Sequence, residues 1–160
     1  MNEELVLTEE RGHVLLITLN RPNDMNAFNT PLAQALASTL DAFDANPNVR
    51  VAVLTGAGRG FSAGMDLKQF VDGGIDAMPN AGDRGFAGIA EKSCAKPIIA
   101  AVEGFALAGG LEVALSCDMI VASEGAKFGI PEVGVGLFAG AGALVRLPRQ
   151  LPYNLAMELA

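Results

Sequence analysis

Two glutamates and several clusters of glycine are the residues in this sequence whose types and spacing suit chemistry. Glu112 sits in the first turns of a helical stretch otherwise built of Ala, Leu, Val and Gly, where an isolated charge is costly to bury without a role. Glu132 follows Pro131 in a Gly- and Val-rich run from Ile130 to Gly136. Such carboxylates suit general acid–base work; the plainer readings are a helix-start glutamate favoured by the dipole and an exposed loop glutamate. Gly60-Phe61-Ser62-Ala63-Gly64 fits the G-x-S-x-G pattern of a nucleophile elbow. That elbow needs its serine directly between strand and helix, whereas the strand here ends at Thr55. The single histidine, His13, lies upstream in the opening hairpin, which further disfavours a serine hydrolase. Gly56-Ala57-Gly58-Arg59-Gly60 begins like a dinucleotide loop, but Phe61 stands where the third glycine belongs and no helix opens there. Gly109-Gly110 opens a helix, where tight helix–sheet packing is the plain explanation of an isolated pair.

The elements that must position these residues alternate between strand and helix. Leu5–Thr8 and His13–Leu19 read as a hairpin turning at Arg11-Gly12. Thr30 reads as an N-cap followed by Pro31 in the first helical position, and Leu32, Ala35, Leu36, Thr39, Leu40 and Phe43 form a stripe at helical spacing. Val51–Thr55 and Ile98–Val102 are short continuous apolar runs, the pattern of strands buried on both faces, and Met119–Ala122 reads as a third. A short helix is expected from Asp66, a mobile glycine-rich surface loop over 73–85, a helix from Phe86 to Cys94, and another from Ala108 to Ser116. This order implies an α/β domain with a largely parallel sheet.

Composition narrows the function classes. The 160 residues are 51% hydrophobic and 18% charged, enough for one domain with a sizeable core and against disorder as the default. A net charge of −7 argues against nucleic-acid binding, since little here would neutralise phosphates. Glu103 and Glu112 interrupt the longest apolar stretch, so no membrane span is expected. Four glutamates among the first ten residues are unlike a signal or transit peptide. Cys94 and Cys117 are expected as buried free thiols in a reducing, cytoplasmic setting. Nineteen glycines exceed the average share of about 7% and are clustered. Tyr153–Ala160 reads as a helix without a cap, which is expected to continue into something it packs against.

The ordered set of motifs is more specific than any one of them. Asn20-Arg21-Pro22, Asn26-Ala27-Phe28, Phe61 to Leu67, Gly104 to Glu112, Cys117-Asp118, Phe128 to Glu132, and Gly140-Ala141-Gly142 leading to Arg146-Leu147 together resemble the enoyl-CoA hydratase/isomerase (crotonase) superfamily. The resemblance covers essentially the whole chain. It implies a crotonase-like ββα spiral core with a largely parallel sheet over 1–150. Residues 151–160 would begin a helical C-terminal region that is otherwise missing.

The resemblance also implies a chemistry. Water adds across the 2,3 double bond of a 2-enoyl-CoA thioester to give a 3-hydroxyacyl-CoA, or leaves it in reverse. The intermediate enolate oxygen is best met by backbone N–H groups, which approach closely where glycine removes a Cβ. The matching donors are the N–H groups of Met65 and Gly109. Glu132 takes the main acid/base role, and Glu112 positions the water. Backbone at Met25, Ala27 and Ala63 would bind adenine, Asp66-Leu67 would lie beside the thioester, and Lys68 near the CoA phosphates. Asp66 reads equally as an N-cap, and Lys68 as an exposed helical lysine. Retention of both glutamates favours hydration over double-bond isomerisation, which generally needs one acid/base near Glu132. A dehalogenase of this family would need a tryptophan, and the chain has none. A non-catalytic acyl-CoA-binding paralogue remains the alternative of a different class. No metal or redox cofactor is expected, and family members form trimers or dimers of trimers.

Overall fold

The apolar runs become the strands of a five-stranded sheet. The computed structural model describes residues 4–160. β1 (Val6–Arg11) and β2 (Val14–Leu19) form an antiparallel hairpin. β3 (Val51–Gly56), β4 (Ile98–Val102) and β6 (Met119–Ala122) then add in parallel, in the order β1-β2-β3-β4-β6. β5 (Phe105–Leu107) and β7 (Lys127–Gly129) form a separate two-stranded parallel sheet, which the sequence reading did not foresee.

α1 (Thr30–Ala45) lays Leu32, Ala33, Leu36, Ala37, Leu40 and Phe43 into the core shared with Ile17, Leu19, Leu54 and Ala100. β3 and β4 alternate between buried and half-buried residues, so one face is covered more completely than the two-sided burial expected. β6 is the sheet edge rather than a buried strand, with Met119 and Val121 more than half exposed, because no further strand among the described residues pairs with it. α2 (Leu67–Gly73), α3 (Gly109–Leu115), α4 (Ala143–Gln150) and α5 (Tyr153–Leu159) complete the helices. Leu111, Leu115, Ala143, Leu147 and Ala156 join the last three in a second cluster.

Local chemistry explains where expectation and structure part. Asn29, not Thr30, caps α1: its side chain accepts from the Leu32 N–H at 3.0 Å, which places Thr30 and Pro31 inside the first turn. The hairpin turns at Gly12-His13, and His13 Nδ1 bonds the Asn48 carbonyl at 2.7 Å, away from any reactive group. The expected helix over 86–94 does not form. Ala87 and Gly88 adopt φ of 56° and 76°, because this segment crosses α1 at backbone contact, and a Cβ on Gly88 would stand 2.8 Å from Ala37 N.

The 73–85 segment is not a plain surface loop. It contains 3-10 turns at Gly74–Ala77 and Gly82–Arg84, and the Arg84 side chain is 1% exposed. Its guanidinium bonds Asp41 Oδ1 at 2.8 and 3.0 Å and lies 3.6 Å from Asp44, tying the segment to α1. Both cysteines are free as expected, but Cys94 is only half-buried. Cys117 is buried in apolar surroundings, which push its thiol up to about 12.

Arg84→Met is expected to cost about 2–3 kcal/mol, since it strips a buried charged donor from Asp41 and Asp44. Lys92→Met removes a half-exposed partner of Asp41 and Asp83 and should cost under about 1 kcal/mol. Denaturant titration of the two variants beside the parent checks the contrast.

Candidate active site

Four segments of backbone run side by side in one direction and deliver their C-terminal ends to one place. Phe28 bridges Met65, Ser62 bridges Ala106, and β5 pairs with β7, all in parallel. In the first bridge, Phe28 N–H donates to the Gly64 carbonyl at 2.7 Å and Phe28 C=O accepts from Asp66 N–H at 2.9 Å. A parallel bridge of this form turns the N–H of the intervening residue, Met65, to the opposite side. Among the described residues, neither the Met65 nor the Gly109 N–H finds a hydrogen-bond partner. Gly109 is the first residue of α3, whose opening N–H groups have no acceptor within the helix.

The two donors stand close because glycine lets backbone meet backbone. A Cβ on Gly64 would lie 2.8 Å from Gly109 N and 3.0 Å from Leu107 O, and one on Gly110 would strike the Ser62 carbonyl. Gly64 also has φ of 99°, a region closed to most side chains.

A clamp missed in the sequence holds the 62–65 segment in place. Asn26 is fully buried with φ of 53°; its Oδ1 accepts from Arg21 N–H at 2.9 Å, and its Nδ2 donates to Ala57 O at 2.8 Å and Gly60 O at 2.9 Å. Ser62, also fully buried, donates through Oγ to Asn26 O at 2.9 Å and accepts from Gly64 N–H at 3.1 Å. Both its hydrogen-bonding functions are spent, so it is no nucleophile. In the sequence Asn26 stands within the motif Asn26-Ala27-Phe28 with no role attached, and only its partners across the fold reveal one.

The carboxyls flank the ends of the same strips. Ala108 N–H bonds Gly129 O at 2.9 Å, which sets the start of α3 beside the 3-10 turn Pro131–Val135. Glu112 on α3 is 3% exposed, and its Oε1 accepts from Ala143 N–H at 3.1 Å. Burial pushes its carboxyl above the usual range, aided by the neighbouring Glu132 charge; the Ala143 N–H and the Arg146 charge pull the other way. Burial likewise raises Glu132. Glu132 Oε2 is buried without a hydrogen-bond partner among the described residues, and such an atom calls for a ligand or water.

The remaining sequence candidates lie along the neighbouring strip. Met25, at φ of 56°, gives its carbonyl to Ala63 N–H at 3.0 Å, and the Ala27 carbonyl accepts from Arg21. Asp66 caps α2 through Gln69 N–H, and its other oxygen lies 3.2 Å from Arg21. Leu67 and Lys68 are exposed on the first turn of α2. The residues thus divide into a backbone cradle with two neighbouring carboxyls and an outer strip that ends in the exposed Lys68. Among the described residues, no cluster of His, Cys, Asp or Glu is arranged to hold a metal, and no helix is long and apolar enough to cross a membrane.

Unpartnered N–H groups and two carboxyls on adjoining elements are the chemical means to hold an oxyanion and to exchange protons. Residues 9–160 match the family described as enoyl-CoA hydratase/isomerase, and the chain belongs to that family. It is 48% identical over 157 residues to a mevalonyl-coenzyme A hydratase of Beauveria bassiana, covering 92% of this chain and 56% of that protein. It is 43% identical over 167 residues to an enoyl-CoA hydratase of Mycobacterium tuberculosis, covering 96% and 59%. The crystal structure of an enoyl-CoA hydratase from Mycobacterium marinum superposes with a TM-score of 0.92 at 51% identity, over 99% of this chain and 61% of that one. The crotonase fold is thereby shown, and the chain spans about three-fifths of the length of these relatives.

Glu132→Gln is expected to raise the thermal midpoint at pH 7. A carboxyl whose folded pKa is raised contributes stability that is complete below the unfolded value, about 4.3, and is lost as pH climbs through the folded one. The amide stays neutral throughout, so the gain should be largest near pH 7–8 and vanish near pH 4. Melting curves at both pH values check it.

Proposed function

We propose that the protein hydrates a 2-enoyl-CoA thioester to the 3-hydroxyacyl-CoA, or catalyses the reverse dehydration. The observation that carries this reading is the buried Glu112 carboxyl and the half-buried Glu132, one of whose oxygens is buried without a partner, on elements adjoining two backbone N–H groups that have no partner among the described residues. In the forward direction Glu132 takes a proton from a water as its oxygen bonds to C3. The electron pair of the double bond moves onto the thioester, and the enolate oxygen rests on the Met65 and Gly109 N–H groups. A proton delivered to C2 completes the addition, and Glu112 orients the water and shares the proton inventory. Met25, Ala27 and Ala63 would receive the adenine, Asp66 and Leu67 would flank the thioester, and Lys68 would meet the CoA phosphates.

The relatives' names support an acyl-CoA substrate and hydration. Neither a metal nor a redox cofactor is needed, because the donors and carboxyls supply the acid–base and electrostatic parts. Assembly into trimers or hexamers rests on the family resemblance, and a reducing, cytoplasmic setting on the two unpaired cysteines.

Glu112→Gln and Glu132→Gln should each lower hydration of crotonyl-CoA by about 10²–10⁴-fold while calorimetry still detects CoA-thioester binding. The double variant should be little worse than the poorer single one. The acid limb of the parent's pH–rate profile should lie above the ordinary carboxylate range, since burial raises both groups. Near-parental hydration by Glu112→Gln would sink the two-carboxyl mechanism and favour an isomerase.

A further inference from the structure

Arg146 stands out among the charged side chains that the mechanism leaves unused. It is half-buried on the first turn of α4, yet among the described residues no carboxylate lies within ion-pair distance of it. Its guanidinium instead bonds two backbone carbonyls far apart in the chain. Nη1 donates to Ala141 O at 2.9 Å and Nη2 to Ala90 O at 2.6 Å. The side chain folds back over Gly142, which has φ of 118° and no Cβ to block it. Val145 and Arg146 N–H groups both return to the Gly142 carbonyl and close the turn. The next residue, Ala143, is fully buried and supplies the N–H that meets Glu112 Oε1.

We propose that Arg146 is a positioning residue for the Glu112 carboxylate, strapping the Gly140–Ala143 turn to the Phe86–Ala90 segment so that the Ala143 N–H stays on Oε1. The planar fork suits this task, because two divergent N–H groups reach two carbonyls at once and an ammonium cannot match that geometry. The same cation adds a favourable field at Glu112, opposing the effect of Glu132 from the Pro131–Val135 turn. Glu91 and Arg149 share a surface groove with Arg146, both exposed to solvent and screened.

The inference rests on the role proposed for Glu112, so its test carries two separate readouts in the intact protein. The first is the amide resonance of Ala143, followed by NMR across a pH titration in the parent, Arg146→Met and Arg146→Lys. Removing the cation should move the midpoint sensed by this amide to higher pH and speed its hydrogen exchange at least tenfold. Arg146→Lys keeps the charge, so its midpoint should stay near the parent's while exchange still quickens.

The second readout is crotonyl-CoA hydration. Arg146→Met should lose about 10–10²-fold in kcat, the size expected of a misplaced catalytic group, with KM changed only a few-fold and the acid limb displaced upward. Arg146→Lys should lose several-fold in kcat with the limb in place. An Ala143 amide with parental midpoint and exchange in folded Arg146→Met overturns the proposal whatever the protein turns over. Parental kcat in either variant overturns it as well. A parent that does not hydrate crotonyl-CoA defeats the hydratase reading, and the NMR result then decides the role of Arg146 alone. Should Arg146→Met not fold, Arg146→Lys decides by the same measurements: quickened exchange supports the strap, and parental exchange refutes it.

Discussion

Everything in this site depends on backbone touching backbone where the 62–65 segment lies against the start of α3. Gly64 and Gly110 face main-chain atoms at distances that leave no room for a single additional carbon. That contact brings two N–H groups, Met65 and Gly109, to one side of a strip whose other side is fully hydrogen-bonded. Side chains could not do this as well, since they carry rotamer freedom that backbone in a bridge has already lost. The cost of keeping the strip in place is met by Asn26 and Ser62, whose polar groups are all paired within the protein.

The carboxyls are held by the opposite strategy. Glu132 retains a buried oxygen without a partner, and Glu112 is given one N–H and a distant cation against the full effect of burial. Stability is lost at these two positions, and carboxyls with raised pKa values in a cleft are the kind of groups that active sites use. The surrounding structure compensates with a well-filled core, in which the inward faces of α1, β2, β3 and β4 are almost completely sealed from solvent.

Much of this was legible in the sequence, for reasons that differ by element. The runs at 51–55 and 98–102 announced themselves by unbroken apolar character and the helix of 32–43 by its period, since burial selects hydrophobic residues in both patterns. Glu112 and Glu132 were conspicuous as charges in apolar company. The short strands β5 and β7 carry too few residues for any period to register, although they set the two glutamate-bearing elements side by side. The segment 86–94 has helical composition, and only its crossing of α1 forces the positive φ angles at Ala87 and Gly88. Arg84 fell within the expected glycine-rich surface loop, because its partners Asp41 and Asp44 lie on a helix some forty residues earlier. Asn26 appeared within a matching motif, but its task is defined wholly by carbonyls distant in the chain.

The parallel strips have a consequence for how the molecule comes into being. Parallel neighbours cannot be joined by a tight turn, so each pairing that lines the cleft closes a long stretch of intervening chain. Such closures are entropically expensive and slow, while the opening hairpin and α1 can organise from local contacts alone. On a ribosome, the opening hairpin and α1 emerge early, but the contact of Gly64 with Gly109 must wait for residues 105–112, and the meeting of Glu112 with Ala143 for residues 131–143. The order of synthesis therefore separates the early hairpin and helix from the cleft, whose facing backbones meet only after the later strips have emerged.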